Sequence, residues 1–240
     1  MMTKVNFEET FEIYLFTDNE QENNFSKLNE FLSFLKYNRV NLPYKFSYVG
    51  RGDGLIPELT LNENILMDFS PDSLTAAREF QFQEFLKARP NPDLEKLYKK
   101  IGVPHELPTH TDAQMRKVSS LIKSLIYEGQ FIFLEAPEKD LDEECLALFI
   151  SSLKDNIERF KQNVFIFSTE INIWMPHVHQ HVKREQDYSF STLKINKNWA
   201  WNEERNQFFA PAAESLDEKT LDNELIFHLP KSIPVKKSAA

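Results

Sequence analysis

The stretch FIFLEAPEKDLD, from Phe131 to Asp142, decides the fold of this 240-residue chain. Four apolar residues precede an acid, a proline follows two positions later, and the segment ends in Asp-Leu-Asp. A continuous apolar run of this length is typical of a strand that is buried on both faces. A carboxylate directly after such a strand is suited to holding a magnesium ion bound to phosphate. The next residue, however, is Ala136, where hydrolysis would require a second carboxylate to accept a proton.

The segments around this stretch alternate between strand-like and helix-like patterns. EIYLF (12–16), KFSYVG (45–50) and VFIF (164–167) read as further strands, and amphipathic helix patterns separate them. One such helix precedes FIFL at residues 112–128, and another follows it at residues 142–160. Buried strands that alternate with helices predict an α/β fold in which helices cover a mainly parallel sheet.

Composition excludes several classes of protein. The net charge of −9 argues against a nucleic-acid partner. No run approaches the roughly 20 apolar residues of a membrane span, and the N-terminus lacks the pattern of a secretory signal. The single cysteine, Cys145, excludes an internal disulfide and favours a cytoplasmic location; on its apolar helix face we expect it to be a core residue.

Two clusters of potential metal ligands have simpler interpretations. His177, His179 and His181 alternate, so on a strand their imidazoles would share one face, as zinc requires. We expect a helix or loop here, with solvated histidines and no metal. The acids at 140–144 could bind a cation, but such a run more often marks a turn and the start of a helix.

Three segments, read in order, resemble the nucleotide-binding domain of ABC transporters. DGLIPELTLNENI (53–65) resembles the segment that follows the glutamine loop, and residues 109–142 resemble the run from the signature motif to the Walker B strand and D-loop. VFIFSTE (164–170) is similar to the strand that ends at the switch histidine. The resemblance implies a P-loop-NTPase-like ABC fold over residues 1–201, with a small helical subdomain near 66–120. We expect residues 202–240 to be a C-terminal extension and tail.

The Walker A loop of the resemblance lacks its phosphate-binding residues. Asn23 stands at the position of the lysine and Asn24 at that of a hydroxyl residue, while Lys27 lies a turn further along. Acids crowd the loop where glycine amides would cradle phosphate: Asp18, Glu20 and Glu22. At about 4 Å, each repulsion between unit charges is worth about 4 kcal/mol at an effective dielectric of 20. We therefore expect no bound nucleotide cofactor.

The two loops that follow are also altered. Arg51 replaces the glutamine of the glutamine loop, and an arginine side chain cannot coordinate a cation. In the signature motif Gln114 is retained, but Asp112 would face the γ-phosphate held by the opposite subunit.

The catalytic carboxylate and the switch histidine are missing from the aligned positions. Glu135 stands for the magnesium-binding aspartate, and Ala136 for the glutamate that polarises the attacking water. Glu170 replaces the switch histidine after Ser168 and Thr169. The sequence therefore predicts a pseudo-ATPase without catalytic residues or a metal site.

The resemblance also implies a role and a set of partners. We expect a cytoplasmic structural or regulatory subunit, held at the inner face of the membrane by a permease or by another ABC-type subunit. A homodimer is a second arrangement, and the D-loop residues are the candidates for its contact: Asp140, Leu141 and Asp142. Two alternatives are an active but diverged ABC ATPase and a stand-alone regulator that binds other proteins.

Overall fold

The computed structural model describes residues 4–17, 26–41, 43–68, 82–185, 187, 189–195, 200–202 and 207–209. One sheet in this part of the chain has the strand order β2-β3-β4-β1-β5-β6. Its strands pair in parallel except for the β5–β6 pair, which is antiparallel. The bounds of its strands are β1 Ile13–Thr17, β2 Phe46–Val49, β3 Phe131–Glu135, β4 Asn163–Ser168, β5 Gln180–Arg184 and β6 Phe190–Lys194. A separate antiparallel pair consists of β7 Ala200–Asn202 and β8 Gln207–Phe209.

Helices connect the parallel strands. The described helices are α1 Lys27–Tyr37, α2 Leu61–Leu66, α3 Phe82–Ala88, α4 Pro92–Lys99, α5 Ala113–Ile126, α6 Glu143–Phe160 and α7 Ile171–Trp174, with a 3₁₀ turn at Pro108–His110. Most begin at a residue whose side-chain oxygen accepts a hydrogen bond from a backbone amide of the first turn. Ser26, Thr60, Asn91, Asp112 and Asp142 are these caps.

The two faces of the sheet have different cores. On β3, Phe131 and Phe133 point to the face covered by α1, and Ile132 and Leu134 point to the opposite face. The same alternation of aromatic and aliphatic residues occurs on β1 and β4. Successive side chains of a strand point to opposite faces, so these strands present aromatic side chains to the core under α1 and aliphatic side chains to the core under α5 and α6.

The structure confirms the α/β class and the mainly parallel sheet. FIFL and VFIF are adjacent strands, since Phe131 pairs with Asn163 and Glu135 with Phe167. Helices α2 to α5 lie between β2 and β3 in the chain. The predicted helical subdomain at 66–120 stays a prediction, because residues 69–81 are outside the described part of the chain. Most of the predicted tail at 202–240 is also outside it. None of the helices in the described ranges has the length and apolar character needed to cross a bilayer.

The histidine segment differs from the expectation. Strand β5 begins at Gln180, and the amide of His179 already donates to the carbonyl oxygen of Ile13 on β1. His181 is only 8% exposed, so the prediction of a helix or loop with solvated histidines was wrong for this residue. On one side it pairs with Leu15 of β1, which is fully buried.

Candidate functional site at the carboxyl edge of the sheet

The parallel strands β1 to β4 end at one edge of the sheet, and open α/β folds bind ligands at this carboxyl edge. The structure brings four of the predicted site residues there. Arg51 follows β2, Glu135 and Ala136 stand at the end of β3, and Glu170 follows β4. Asn23 and Asn24, the predicted remnants of the phosphate loop, lie outside the described residues.

The carboxylate of Glu135 has a neighbour from β2. The hydroxyl of Tyr48 donates a hydrogen bond of 3.0 Å to Glu135 Oε1, and the Tyr48 ring stacks on Phe133 with centroids 5.2 Å apart. Burial, with the Glu135 carboxylate as the next cause, raises the pKa of Tyr48 to about 12. The hydroxyl therefore keeps its proton at neutral pH and remains a donor to Glu135.

Ala136 begins a tight turn. Its backbone has a positive φ of 42°, and its amide donates to the carbonyl oxygen of Phe167 at 2.7 Å. In this turn the amide of Lys139 donates a hydrogen bond to the carbonyl oxygen of Ala136, and the turn ends at Asp140, which also has a positive φ of 63°. The position after the strand's acid therefore offers a methyl group and no proton acceptor.

Glu138 is a member of this site that the sequence analysis did not identify. Its Oε1 accepts a 2.6 Å hydrogen bond from the hydroxyl of Ser168, and its Oε2 accepts a 2.8 Å bond from the indole nitrogen of Trp174. Ser168 also accepts the backbone amide of Glu170 at 2.9 Å. The only sequence signal was indirect: a buried tryptophan needs an acceptor for its N–H.

Lys117 of α5 is a second member that the sequence analysis missed. It is 2% exposed, and its ammonium contacts the carbonyl oxygen of Gly50 at 3.3 Å and that of Glu135 at 3.4 Å. Burial lowers its pKa to about 8, although the nearby carboxylates of Glu138, Asp140 and Glu135 oppose that shift. The helical period did hold a signal, because Lys117 lies four residues before Leu121 on the inner face of the helix.

The signature-like and D-loop-like residues bind each other. Gln114 Nε2 donates to Asp142 Oδ2 at 2.9 Å, and the Asp142 amide donates to Gln114 Oε1 at 2.8 Å. Asp142 also caps α6 by accepting the amide of Cys145 at 2.7 Å, and Asp112 caps α5 by accepting the amide of Met115 at 2.8 Å. The pKa of Asp142 lies below its usual value, mainly because the Cys145 amide donates to the carboxylate and secondly because Gln114 does.

The other two candidates for a dimer contact differ in exposure. Asp140 is exposed, whereas Leu141 is half-buried against the aliphatic core. Their role in a dimer stays a prediction.

Lys27 is the first residue of α1, and its ammonium lies 5.9 Å from the centroid of the Phe167 ring. Phe167 is near the carboxyl end of β4. A cation therefore lies close to the candidate site, although in the sequence it stands a turn beyond the expected lysine position.

Neither the histidines nor the cysteine forms a metal site in the described ranges. No group of three or more His, Cys, Asp or Glu side chains within them is arranged to hold a metal ion. The ring of His179 accepts the amide of Ile13 at 3.0 Å, and His177 lies 3.0 Å from the Lys154 ammonium. Cys145 is fully buried in the aliphatic core, as predicted, and burial raises its pKa to about 12.

Neither a protein-family model nor a curated protein sequence matches this chain. Solved structures do match. The chain is 13% identical to an ATP-binding subunit of an ABC transporter, with a TM-score of 0.50, over 72% of this chain and 74% of that one. It is 14% identical to the ATP-binding cassette MJ0796, a post-hydrolysis dimer bound to ADP and Pi, with a TM-score of 0.51, over 82% and 88% of the two chains. At these identities the likeness establishes the fold alone, which is that of ABC-transporter ATP-binding subunits.

Proposed function

We propose that this chain is a non-catalytic ABC-type domain that acts through protein contacts. It would dock as a structural or regulatory subunit on a membrane permease or on a second ABC-type subunit. The observation that carries the proposal is the turn after β3, where a methyl group follows the acid of the strand. ATP hydrolysis would need a proton acceptor near the attacking water at this point.

In this proposal three carboxylates of the edge would have structural roles and would not replace the missing acid. Glu135 accepts from Tyr48, and Glu138 accepts from Ser168 and Trp174. Asp142 accepts from Cys145 and Gln114. Each of these three carboxylates thus makes contacts that organise a strand end, a turn or a helix cap.

The proposal extends to the other motif positions. In this proposal none of the altered positions takes part in nucleotide binding: Asn23, Asn24, Arg51, Asp112 and Glu170. Gln114 would serve the D-loop contact. We place the ABC-like domain at 1–201 and treat 202–240 as an extension.

A diverged but active ATPase is the second candidate, and the two lysines favour it. Lys27 lies beside the carboxyl end of β4, and Lys117 lies beneath the ends of β2 and β3. An ammonium at a helix start can attract phosphate. A stand-alone regulator that binds other proteins is a third possibility, and it differs from the first in having no membrane partner.

Calorimetric titration of the full chain with ATP and magnesium tests the proposal, together with a phosphate-release assay. We expect no turnover and no binding tighter than about 1 mM, which corresponds to about 4.1 kcal/mol. Lys27→Met is the informative variant: ATP binding and phosphate release by the unmodified chain, both abolished by this variant, would support the active ATPase. Co-purification of the tagged chain with a membrane protein would separate a docked subunit from a stand-alone regulator.

A further inference from the structure

Helix α5 is tied to the loops of the carboxyl edge by four side chains. We call this set the α5 interlock: Gln114, Arg116, Lys117 and Ser120. It reaches two loops, residues 50–53 after β2 and residues 136–142 between β3 and α6, and it also contacts the last residue of β3. None of these contacts needs a ligand.

The loop after β2 receives two members of the interlock. Arg116 Nε donates to Asp53 Oδ2 at 2.7 Å, and Ser120 donates to the carbonyl oxygen of Asp53. Arg116 also donates to the carbonyl oxygen of Thr111, in the loop that precedes α5. Asp53 is therefore held by its side chain and its backbone to two successive turns of one helix.

Lys117 connects this loop to the one after β3. Its ammonium contacts carbonyl oxygens at the ends of both strands, Gly50 and Glu135, at the long end of the hydrogen-bond range. A buried ammonium without acceptors is costly, so the carbonyls have to remain close to the charge. The nearby charged groups are three carboxylates and one cation: Glu135, Glu138, Asp140 and Lys139.

Gln114 completes the set at the start of α6. Its amide both donates to and accepts from Asp142, so the turn that begins at Ala136 is held at its two ends by one helix. Lys117 contacts the carbonyl before the turn, and Gln114 contacts the residue after it.

We propose that the α5 interlock holds these two loops of the carboxyl edge in one arrangement in the absence of any ligand, with the buried Lys117 ammonium bridging the ends of β2 and β3. The edge is then a preformed surface. This inference concerns the ligand-free chain and goes beyond the proposed function, because it does not depend on whether the chain hydrolyses ATP.

Hydrogen exchange of the full chain without nucleotide tests the interlock, with Lys117→Met compared with Lys123→Met. Lys123 lies on the same helix, is 24% exposed at its side chain and pairs with Asp68 at 3.2 Å, so its variant is a matched control. We expect Lys117→Met to speed exchange at least about tenfold in residues 50–53 and 136–142. Lys123→Met should leave both segments unchanged.

Unchanged exchange in both segments of a folded Lys117→Met protein would overturn the proposal, as would an increase spread evenly over the whole chain. If Lys117→Met does not fold, Gln114→Leu is the variant that tests the proposal, because the Gln114–Asp142 contact is exposed and lies outside the core. We then expect faster exchange at 140–142, and no change there would overturn the interlock. A separate measurement adds ATP and magnesium to the unmodified chain. Slower exchange at these loops would then contradict the proposed function but not the interlock.

Discussion

Glu138 and Trp174 are joined by a hydrogen bond of 2.8 Å, although one lies in the turn after β3 and the other at the end of α7. The indole is fully buried, and Ser168 occupies the second oxygen of the same carboxylate. Two adjacent strand ends are thereby held together by one acid. A half-buried carboxylate with two neutral donors is sensitive to the loss of either one.

Trp174→Phe should remove the indole donor and leave Glu138 Oε2 without its partner. We expect a loss of about 1–3 kcal/mol in the free energy of unfolding, measured by urea denaturation. Glu138→Ala and the double variant complete a cycle, in which the contact should appear as a coupling of at least about 0.5 kcal/mol. Strictly additive effects would show that the observed bond does not stabilise the fold.

Ala136→Glu restores a carboxylate at the position after the strand's acid. We expect phosphate release to stay at background, because the substitution supplies a proton acceptor and no means of binding phosphate. Ala136 already adopts a positive φ, so the added side chain should lower the free energy of unfolding by at most about 1–2 kcal/mol. A clear gain in turnover over the unmodified chain would show that nucleotide already binds, and the pseudo-ATPase proposal would fall.

Assembly of the chain should not depend on nucleotide. If the residues that face phosphate on both sides of an ABC-type interface are altered, protein contacts have to hold any dimer. Sedimentation velocity, alone and with an ABC-type partner, should give the same distribution with and without ATP and magnesium. Asp140→Lys tests the exposed D-loop position and should weaken any dimer that forms there. A dimer that forms only when nucleotide is added would contradict the prediction.

His181 should make the fold less stable in acid. Burial, with Lys183 as a smaller cause, lowers its pKa from 6.5 to about 4, so between these values the unfolded chain binds more protons than the folded one. Stability is therefore complete above about pH 6.5 and falls as the pH decreases towards 4, by about 3 kcal/mol for this group.

His181→Leu should flatten this part of the pH profile of urea denaturation relative to the unmodified chain. His105→Leu, at an exposed loop residue, is the control and should leave the profile as it is. Equal slopes for His181→Leu and the unmodified chain would contradict the assignment.

The elements and the site differ in how far the sequence predicts them. FIFL and VFIF are local apolar runs, and their strand character and parallel pairing followed from the pattern alone. Asp112 and Asp142 are helix caps, a role that their positions before amphipathic segments also indicate; the resemblance instead drew attention to phosphate and dimer contacts. Glu138 and Lys117 could not be assigned, because their partners at Trp174, Gly50 and Glu135 depend on tertiary packing.

The position of β1 in the sheet has a consequence for synthesis on the ribosome. β1 lies between β4 and β5, and the bond from Glu12 to Asn163 spans 151 positions. At about 5–20 residues per second, roughly 8 to 30 s pass between the two segments. Throughout that interval the segment around Tyr14 and Phe16 has no strand partner, although it supplies the centre of the finished aromatic core. A nascent chain that stops short of β4 therefore exposes this apolar strand, and it is a substrate for chaperones or for aggregation.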